Sequence, residues 1–428
     1  MLSRMEHDSI GALNVPAEAY YGVQSMRAAT NFQITHRPLH PVLIDSIVMV
    51  KKAAAITNEK SGKLDQQIAQ AIIQACDEIL DGNLRDQFIV DAIQGGAGTS
   101  ANMNANEVIA NRAIEILGGT KGDYSIVHPN DHVNMSQSTN DVIPTAGKIT
   151  VLKLLPQTIK ELEKLEKAME EKEAEFDDIL KMGRTQLQDA VPMRLGQSFG
   201  AFAHVLKRDI KRLKNVMDEM KVLNIGATAI GTAINVDPYY LANISYELSK
   251  VAGISLKQAD DLIDATQNLD GFVSVSGVLK TCAVDISKIS NDLRLMSSGP
   301  RTGLSEINLP ARQNGSSIMP GKINSVIPEV VSQVAYLIIG HDYTITMAAE
   351  AGQCEEYIEK SVGISTALCP YIGYAKSAEI AKKSLKTGIS VKELVLEEGL
   401  LKEEELKEIL KPEKMTQPMR EKVMKAVS

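Results

Sequence analysis

The feature that most constrains the fold of this chain is a long amphipathic repeat near its middle. Apolar side chains recur in steps of three and four residues, with one turn skipped, at Leu155, Ile159, Leu162, Leu165, Met169, Phe176 and Ile179. That spacing places them on one face of a helix. The opposite face carries Lys and Glu, including the i,i+4 pair Glu163 and Lys167. A helix of this length cannot bury its apolar stripe alone, so the repeat predicts a helical bundle.

Two further segments, residues 197–223 and 325–350, show the same helical period. Strand-like alternation is scarce, and only 4% of the residues are aromatic, which leaves little material for the aromatic-rich strands of a large sheet. Beyond Val391 the stretch LEEGLLKEEELKEIL predicts one charged amphipathic helix in a small C-terminal unit. The fold class that these patterns indicate is mostly α.

Length and charge limit the classes of fold and partner. With 428 residues the chain is long enough for two or three domains, and 44% hydrophobic with 23% charged residues is ordinary for a soluble globular protein. The net charge of -8 argues against a nucleic-acid partner or an anionic membrane surface. The N-terminal sequence lacks the apolar segment of a signal peptide, and the apolar runs are too short to span a bilayer.

The four cysteines are dispersed along the chain, at Cys76, Cys282, Cys354 and Cys369, and they form no C-x-x-C pair. This pattern favours reduced thiols in a cytoplasmic protein over a disulfide framework or a zinc site. The seven histidines likewise show no metal-ligand spacing. The sequence therefore predicts no metal site.

Four polar stretches interrupt the helical background. They are QGGAGTSANMNAN at 94–106, NDHVNMSQSTNDVIPT at 130–145, KMGRTQLQ at 181–188 and GSSIMPGKIN at 315–324. Each is rich in small hydrogen-bonding residues, which favour turns and helix caps. Any one of them alone could be a capped helix start. Together they supply an unusual number of neutral donors at predicted helix junctions, where free backbone N–H groups bind carboxylates.

Two of the glycine-containing stretches resemble nucleotide loops but fail on spacing or context. Five residues separate Gly315 from Gly321, one more than in a P-loop, and Ile323 occupies the position that needs Ser or Thr. GAGTSA matches the dinucleotide pattern G-x-G-x-x-A, with Glu115 about twenty residues on, but no strand–helix alternation follows. A further glycine segment, 226–232, is predicted to be a turn rather than a binding loop.

The stretch GSSIMPGKIN closely resembles the signature GSSxMPxKxN of the aspartase/fumarase superfamily. GGAGTSANMNANE, SQSTNDVIPT, GRTQLQDAVPMRLGQ and AAEAGQ resemble other blocks of that superfamily, in its order, and the resemblance covers nearly the whole chain. It is closest to the aspartase branch, because Gln186 stands where fumarases usually carry histidine after GRT. The resemblance implies a three-domain fold around a long central helical bundle, with domains at 1–137, 138–357 and 358–428.

The resemblance also implies a reaction and the residues that perform it. Members of the aspartase branch eliminate ammonia reversibly from L-aspartate to give fumarate, through an enediolate-like intermediate whose charge needs hydrogen-bond donors. Ser316 would be the base. The binding residues would be Thr99, Ser138, Thr139 and Ser317 for the β-carboxylate, Thr185, Lys322 and Asn324 for the α-carboxylate, and Asn140 with Gln186 for the amino group.

Cofactor use and assembly are implied in the same way. The family uses no organic cofactor, although some aspartases respond to magnesium, and it forms homotetramers in which three subunits contribute to each active site. Serine is a weak base unless its alkoxide is stabilised. Glycine-flanked backbone N–H groups and Lys322 are expected to stabilise it in a loop that closes over the substrate.

Two departures from the family pattern stand out. Ser325 follows KIN where the family has proline, and we expect it to cap the next helix. After Gln353 the chain passes directly to CEEYIEKSVGI, so about forty residues of the family pattern are absent, enough for one helix of up to ~60 Å. Two alternatives stay open: a fumarase, favoured by HPND at 128–131, and an inactive lyase-fold structural or binding protein.

Overall fold

The computed structural model describes residues 2–351, 366–387 and 389–410 of the chain. Over these ranges the protein is mostly helical, which confirms the predicted fold class. The helices are α1 (Val23–Asn31), α2 (Pro41–Lys60), α3 (Gln66–Leu80), α4 (Thr99–Ile116), α5 (Thr139–Glu175), α6 (Leu195–Met220), α7 (Pro238–Ala252), α8 (Leu262–Gln267), α9 (Asp270–Met296), α10 (Val326–Glu350), α11 (Cys369–Thr387), α12 (Val391–Glu397) and α13 (Glu403–Ile409). The strands are β1 (Ser3–Asp8), β2 (Gly11–Pro16), β3 (Leu180–Thr185), β4 (Gln188–Arg194), β5 (Val222–Leu223) and β6 (Lys257–Gln258), paired as β1–β2, β3–β4 and β5–β6.

These elements cluster into two compact units. The first comprises Met1–Thr150, Lys221–Asn268 and Gln353–Ser428, and the second comprises Val151–Met220 and Leu269–Gly352. Helix α5 begins in the first unit and continues into the second. The three-domain division implied by the resemblance stays a prediction.

In the first unit, α2 packs against α3 and α7, and α3 packs against α4. Helix α2 begins at a proline, which suits the first helical turn, and His40 Nδ1 accepts a hydrogen bond from Val42 N at 3.2 Å. Helix α4 is buried along most of its length even though it carries several asparagines. The amide of Asn104 donates to the Gln87 carbonyl at 3.0 Å, and Asn111 donates to the Tyr20 carbonyl at 2.8 Å. These bonds offset the cost of burying the two amides, and they also fix the neighbouring loops.

In the second unit, α9 packs against both α6 and α10. Buried Asp342 on α10 accepts hydrogen bonds from Ser276 Oγ at 2.8 Å and Lys280 Nζ at 2.6 Å, both on α9. The predicted stripe on α5 is confirmed from Leu155 to Met169: Leu165 is half-buried, and the other four side chains of the stripe in this range are buried. The helix ends at Glu175, however, and Ile179 is 46% exposed, so the last position of the predicted stripe was wrong.

The hairpin of β3 and β4 was not predicted from the sequence. Its strands pair Leu180 with Arg194 and Thr185 with Gln188, with an irregularity between Met182 and Arg184. The expectation that the GRTQLQ block lies at a helix junction was therefore wrong. The sequence of β4, QDAVPMR, does not alternate between apolar and polar residues. Such alternation along the chain is the pattern that would have indicated a strand.

The C-terminal segment also differs from the single helix expected for LEEGLLKEEELKEIL. Gly399 has φ +64°, in the left-handed region that glycine adopts readily, and it separates α12 from α13. Leu394 and Leu406, one on each helix, are fully buried in a common apolar cluster with Leu368 and Ile380. The break allows the two short helices to pack their apolar sides into that cluster.

Among the residues described, no helix combines the length and apolar character needed to cross a membrane. Cys76 and Cys282 are buried free thiols. Burial raises the pKa of the Cys282 thiol to about 12, so it stays protonated at neutral pH. Cys354, and the gap expected after Gln353, lie outside the described residues.

Candidate active site

The hydroxyl of Ser316 sits in a small cradle of backbone N–H groups. Its Oγ accepts hydrogen bonds from the N–H of Ile318 at 3.2 Å and of Met319 at 3.0 Å. Two donors aimed at one oxygen stabilise negative charge on that oxygen. The cradle is therefore an arrangement that can lower the cost of forming an alkoxide at Ser316.

The loop that carries Ser316 is closed at its base. The N–H of Gly315 donates to the Lys322 carbonyl at 2.8 Å, and Asn324 Nδ2 donates to the Gly315 carbonyl at 3.1 Å. A Cβ at position 315 would lie 2.7 Å from Asn324 Cγ and 2.8 Å from Asn324 N, so only glycine fits there. The predicted residues Ser316, Lys322 and Asn324 are thus brought into one loop, and Ser317 and Lys322 are exposed on it.

Ser325, at the end of this loop, precedes α10 but does not cap it. Its Oγ lies 3.1 Å from Ser297 Oγ, and the helix start receives no side-chain hydrogen bond. The expected cap was therefore wrong. The serine that replaces the family's proline ties the loop to the end of α9 instead.

Thr185 and Gln186 lie at the tip of the β3–β4 hairpin. Gln186 and Leu187 have φ +50° and +65°, which is the left-handed pair of a tight hairpin turn. Strand β3 is anchored by Glu306, which accepts from Arg184 Nη1 at 2.7 Å and lies 3.1 Å from Lys181 Nζ. Burial opposes ionisation of Glu306, but the bonds from Arg184 and Lys181 outweigh it and hold its pKa below the ordinary value.

The remaining predicted residues lie in the first unit, at the starts of two helices. Thr99 is the first residue of α4, and Thr139 is the first residue of α5, directly after Ser138. A Cβ on Gly98 would lie 2.9 Å from Ile143, so the two helix starts pack directly against each other. Asn102 Nδ2 lies 3.3 Å from Thr139 Oγ1, which joins the two starts by a hydrogen bond.

Asn140 and Asp141 connect the start of α5 to the glycine segment 226–231. Asn140 Nδ2 donates to the Ala229 carbonyl at 2.7 Å. The fully buried carboxylate of Asp141 accepts from the N–H groups of Ser138, Gly226 and Thr228 at 2.8, 3.0 and 3.1 Å. Burial raises the pKa of Asp141 to about 6, although these N–H bonds work in the opposite direction.

Beneath the same helix start lies a buried lysine that sequence reasoning missed. Lys51 on α2 is fully buried, and its Nζ donates to Asn134 Oδ1 at 2.8 Å and to Gln137 Oε1 at 2.9 Å. Asn134 Oδ1 also accepts from Asn102 Nδ2 and Asn106 Nδ2, each at 3.2 Å. This network supports residues 134–137, which lead directly into Ser138. No local motif marks Lys51, because its partners lie more than eighty residues away in the sequence.

The structure gives no support to the nucleotide patterns that the sequence analysis set aside. Glu115, the expected ribose-binding acid, accepts from Tyr20 Oη at 2.6 Å and from Arg112 Nη1 at 2.9 Å. Gly98 is required by the close approach of Ile143 rather than by a phosphate. In the described ranges no group of three or more acidic, histidine or cysteine side chains is arranged to hold a metal ion.

Comparison with known proteins identifies the family. The chain matches the sequence profile of the lyase family over residues 11–340 and that of the fumarase C C-terminus over residues 364–417. It therefore belongs to the aspartase/fumarase superfamily of lyases, as the motifs predicted.

Among its relatives in that superfamily are aspartate ammonia-lyases. That of Bacillus subtilis (strain 168) is 49% identical, over 97% of this chain and 96% of its own length. That of Escherichia coli (strain K12) is 46% identical, again over 97% and 96%.

Solved structures agree with this assignment. A fumarate lyase:delta crystallin from Brucella melitensis, bound to cobalt, is 47% identical with a TM-score of 0.81, and the match covers 97% of this chain and 100% of that chain. A class II fumarase from Schistosoma mansoni is 32% identical with a TM-score of 0.79, covering 98% and 100%. The shared architecture confirms the aspartase/fumarase fold.

The alignments also bear on the gap expected after Gln353. The match to the Bacillus subtilis relative runs over 457 positions, more than the 428 residues of this chain, so that relative contains positions for which this chain has no counterpart. This agrees with a shortened chain.

Proposed function

We propose that this protein is an aspartate ammonia-lyase, which reversibly eliminates ammonia from L-aspartate to give fumarate. The names of its relatives support the substrate class. The observation that carries the chemistry is the pair of N–H groups directed at Ser316 Oγ, because a serine base needs a stabilised alkoxide.

The proposed reaction begins with Ser316 as an alkoxide. Its Oγ takes a proton from the β-carbon of aspartate, and the electron pair of the broken C–H bond passes onto the β-carboxylate as an enediolate. Thr99, Ser138, Thr139 and Ser317 donate hydrogen bonds to that carboxylate, and neutral donors suit this task because their bonds strengthen as charge develops.

Collapse of the enediolate completes the elimination. The electron pair returns to form the carbon–carbon double bond, and the C–N bond breaks with its pair going to nitrogen, so that ammonia leaves. Lys322, Asn324 and Thr185 hold the α-carboxylate throughout, and Asn140 with Gln186 holds the amino group. Ser316 then passes its proton to solvent, and no organic cofactor is needed for any of these steps.

The direct test is the ultraviolet absorbance of fumarate formed from L-aspartate, with L-malate in a parallel assay. Ser316→Ala should lower turnover about 100-fold or more, because it removes the proposed general base. Ser325→Ala is the matched control, since the Ser325 hydroxyl pairs with Ser297 Oγ and makes no capping bond to the start of α10. Equal activity of Ser316→Ala and the wild type would refute the serine base, and turnover of malate alone would assign the protein to the fumarases.

We also propose the homotetramer typical of the family, with three subunits contributing to each site. One face of α10 carries exposed apolar side chains at Ile327, Val330, Val334 and Leu337, in steps of three and four residues. Such a stripe marks a surface that another chain covers. Sedimentation should give four times the 46.5 kDa chain mass, and a monomer would exclude the shared site.

Two finer points of the proposal concern metal and compartment. Magnesium would act as an activator only, so the wild type should keep basal turnover in EDTA, and loss of all turnover would contradict this.

A cytoplasmic location predicts four reactive thiols in the unfolded chain without reductant, since the sequence has four cysteines. Fewer reactive thiols would indicate a disulfide and an oxidising compartment.

A further inference from the structure

The side-chain amide of Asn140 is held in a single orientation. Its Nδ2 donates to the Ala229 carbonyl at 2.7 Å, and its backbone carbonyl accepts from Asn224 Nδ2 at 3.0 Å. A carbonyl oxygen can only accept, so the amide nitrogen must face Ala229 and the amide oxygen must face away from it. Asn140 is exposed, and its Oδ1 accepts no hydrogen bond from any residue in the described part of the chain. The outward group is therefore an unoccupied acceptor.

The position of the Ala229 carbonyl depends on Asp141. The N–H groups of Gly226 and Thr228 both point at Asp141 Oδ2, at 3.0 and 3.1 Å, and the other oxygen accepts from Ser138 N. Thr228 has φ +58°, in the left-handed region that a β-branched residue rarely adopts. Its hydroxyl is buried and finds no partner among the described residues. The segment thus adopts a conformation that its own sequence does not favour, and the buried carboxylate holds it there.

We propose that Asp141 is a positioning residue for the leaving group: by holding the segment 226–229 it sets the orientation of Asn140, whose Oδ1 accepts a hydrogen bond from the amino group of the substrate. This inference rests on the proposed function. It adds a structural role for the glycine segment, which the sequence predicted only to be a turn.

The orientation matters because ammonia and ammonium present N–H donors. A properly oriented Asn140 offers them an acceptor, whereas a rotated amide would place its own N–H2 group against those donors. Asp141 itself cannot make this contact, since it is fully buried and its oxygens are occupied by backbone N–H groups. In this proposal its influence passes through Ala229 and Asn140.

Kinetics of the reverse reaction, the addition of ammonia to fumarate, distinguish a positioning role of Asp141 from a general effect on the structure. In Asp141→Asn, an N–H2 donor that takes the place of Oδ2 faces the N–H groups of Gly226 and Thr228 and releases the segment 226–229, while the amide oxygen keeps the bond from Ser138 N. With fumarate and ammonia as substrates, the KM for ammonia should rise about tenfold while the KM for fumarate stays within about twofold of the wild type. The value of kcat/KM for L-aspartate should fall by a similar factor of about ten.

Two further variants make the test decisive. Asp65→Asn is the matched control: Asp65 also accepts two backbone N–H groups, at the start of α3, and its replacement should leave both KM values unchanged. If Asp141→Asn does not fold, Asn224→Ala removes the bond to the Asn140 carbonyl and should raise the KM for ammonia selectively.

The outcomes distinguish the inference from the proposed function. A parallel rise in the KM for fumarate, or no change in either KM in a folded Asp141→Asn or Asn224→Ala variant, would overturn the positioning role while the wild type remains an ammonia-lyase. Failure of the wild type to interconvert aspartate and fumarate would overturn the proposed function and this inference with it.

Discussion

Replacing Lys51 by methionine should remove a pH-dependent component of the free energy of unfolding. The ammonium of Lys51 is fully buried, and within the described part of the chain it donates to neutral side-chain oxygens, those of Asn134 and Gln137. Burial removes water from the charged form and lowers its pKa from 10.5 to about 7, and the charge of Asp141 offsets only part of this effect. The unfolded chain has no such restriction, so the two states bind the proton differently.

The direction and magnitude of this pH dependence follow from the difference in bound protons between the folded and unfolded states. Between about pH 7 and pH 10.5 the unfolded chain holds a proton that the folded chain has released, so stability increases with pH across that window. One proton corresponds to about 1.4 kcal/mol per pH unit. Below about pH 7 Lys51 is protonated in both states, and its contribution is constant at its least favourable value. Asp141, with a pKa raised to about 6, titrates below the window.

The assay is urea unfolding of the wild type and Lys51→Met in parallel, from about pH 6.5 to about pH 9.5. The stability of the wild type relative to the variant should rise by about 2 kcal/mol or more over this range. Lys52→Met is the neighbouring control, because the Lys52 side chain is 22% exposed and its Nζ lies 2.5 Å from Asp77 Oδ1. A difference between wild type and Lys51→Met that does not change with pH would refute the buried, depressed-pKa lysine.

Three further substitutions test the loop and the exposed helix. Lys322→Ala should raise the KM for L-aspartate about tenfold or more through loss of a charge-assisted bond of about 1.5–3 kcal/mol, and an unchanged KM would count against its carboxylate role. Gly315→Ala should abolish fumarate formation with little change in the melting temperature, because its Cβ would displace Asn324 in an exposed loop; retained activity would contradict that close approach. Leu337→Asp should lower the sedimentation mass below that of the wild type, since the side chain is 57% exposed on the proposed interface, and an unchanged mass would exclude that face.

The long helices could be predicted because their signal is local. The stripe of α5 follows the helical period over many turns, and the ends of α6 and α10 lie within three residues of the segments predicted from periodicity. The serine loop was predicted as a loop for a similar reason, since its glycines and polar residues are contiguous. In both cases the residues that decide the structure are neighbours in the sequence.

The features that sequence reasoning missed depend on distant partners or on atypical turn residues. At the hairpin tip, Gln186 and Leu187 adopt left-handed conformations that asparagine and glycine usually adopt. The sequence therefore lacks the Asn-Gly pair that would have predicted a tight turn there. The glycine segment was predicted to be a turn, but its attachment to Asp141 joins residues more than eighty positions apart. Lys51 gave no signal at all, because a buried lysine cannot be distinguished from an exposed one by residue type.

The chemistry proposed here requires an environment that neither unit supplies by itself. An alkoxide at Ser316 and an enediolate on the substrate both need a site from which water is excluded, yet Ile318, two residues from Ser316, is 83% exposed, and Asn140 is exposed in its own unit. The apolar stripe on α10 is likewise exposed and requires a partner surface. Assembly of further copies of the chain would both exclude water from the site and bury this stripe. Activity should therefore depend on whether the shortened chain, which ends α10 at Glu350 just before the gap expected after Gln353, still assembles. The polar residues of the serine loop and of the α5 start are already arranged by local contacts.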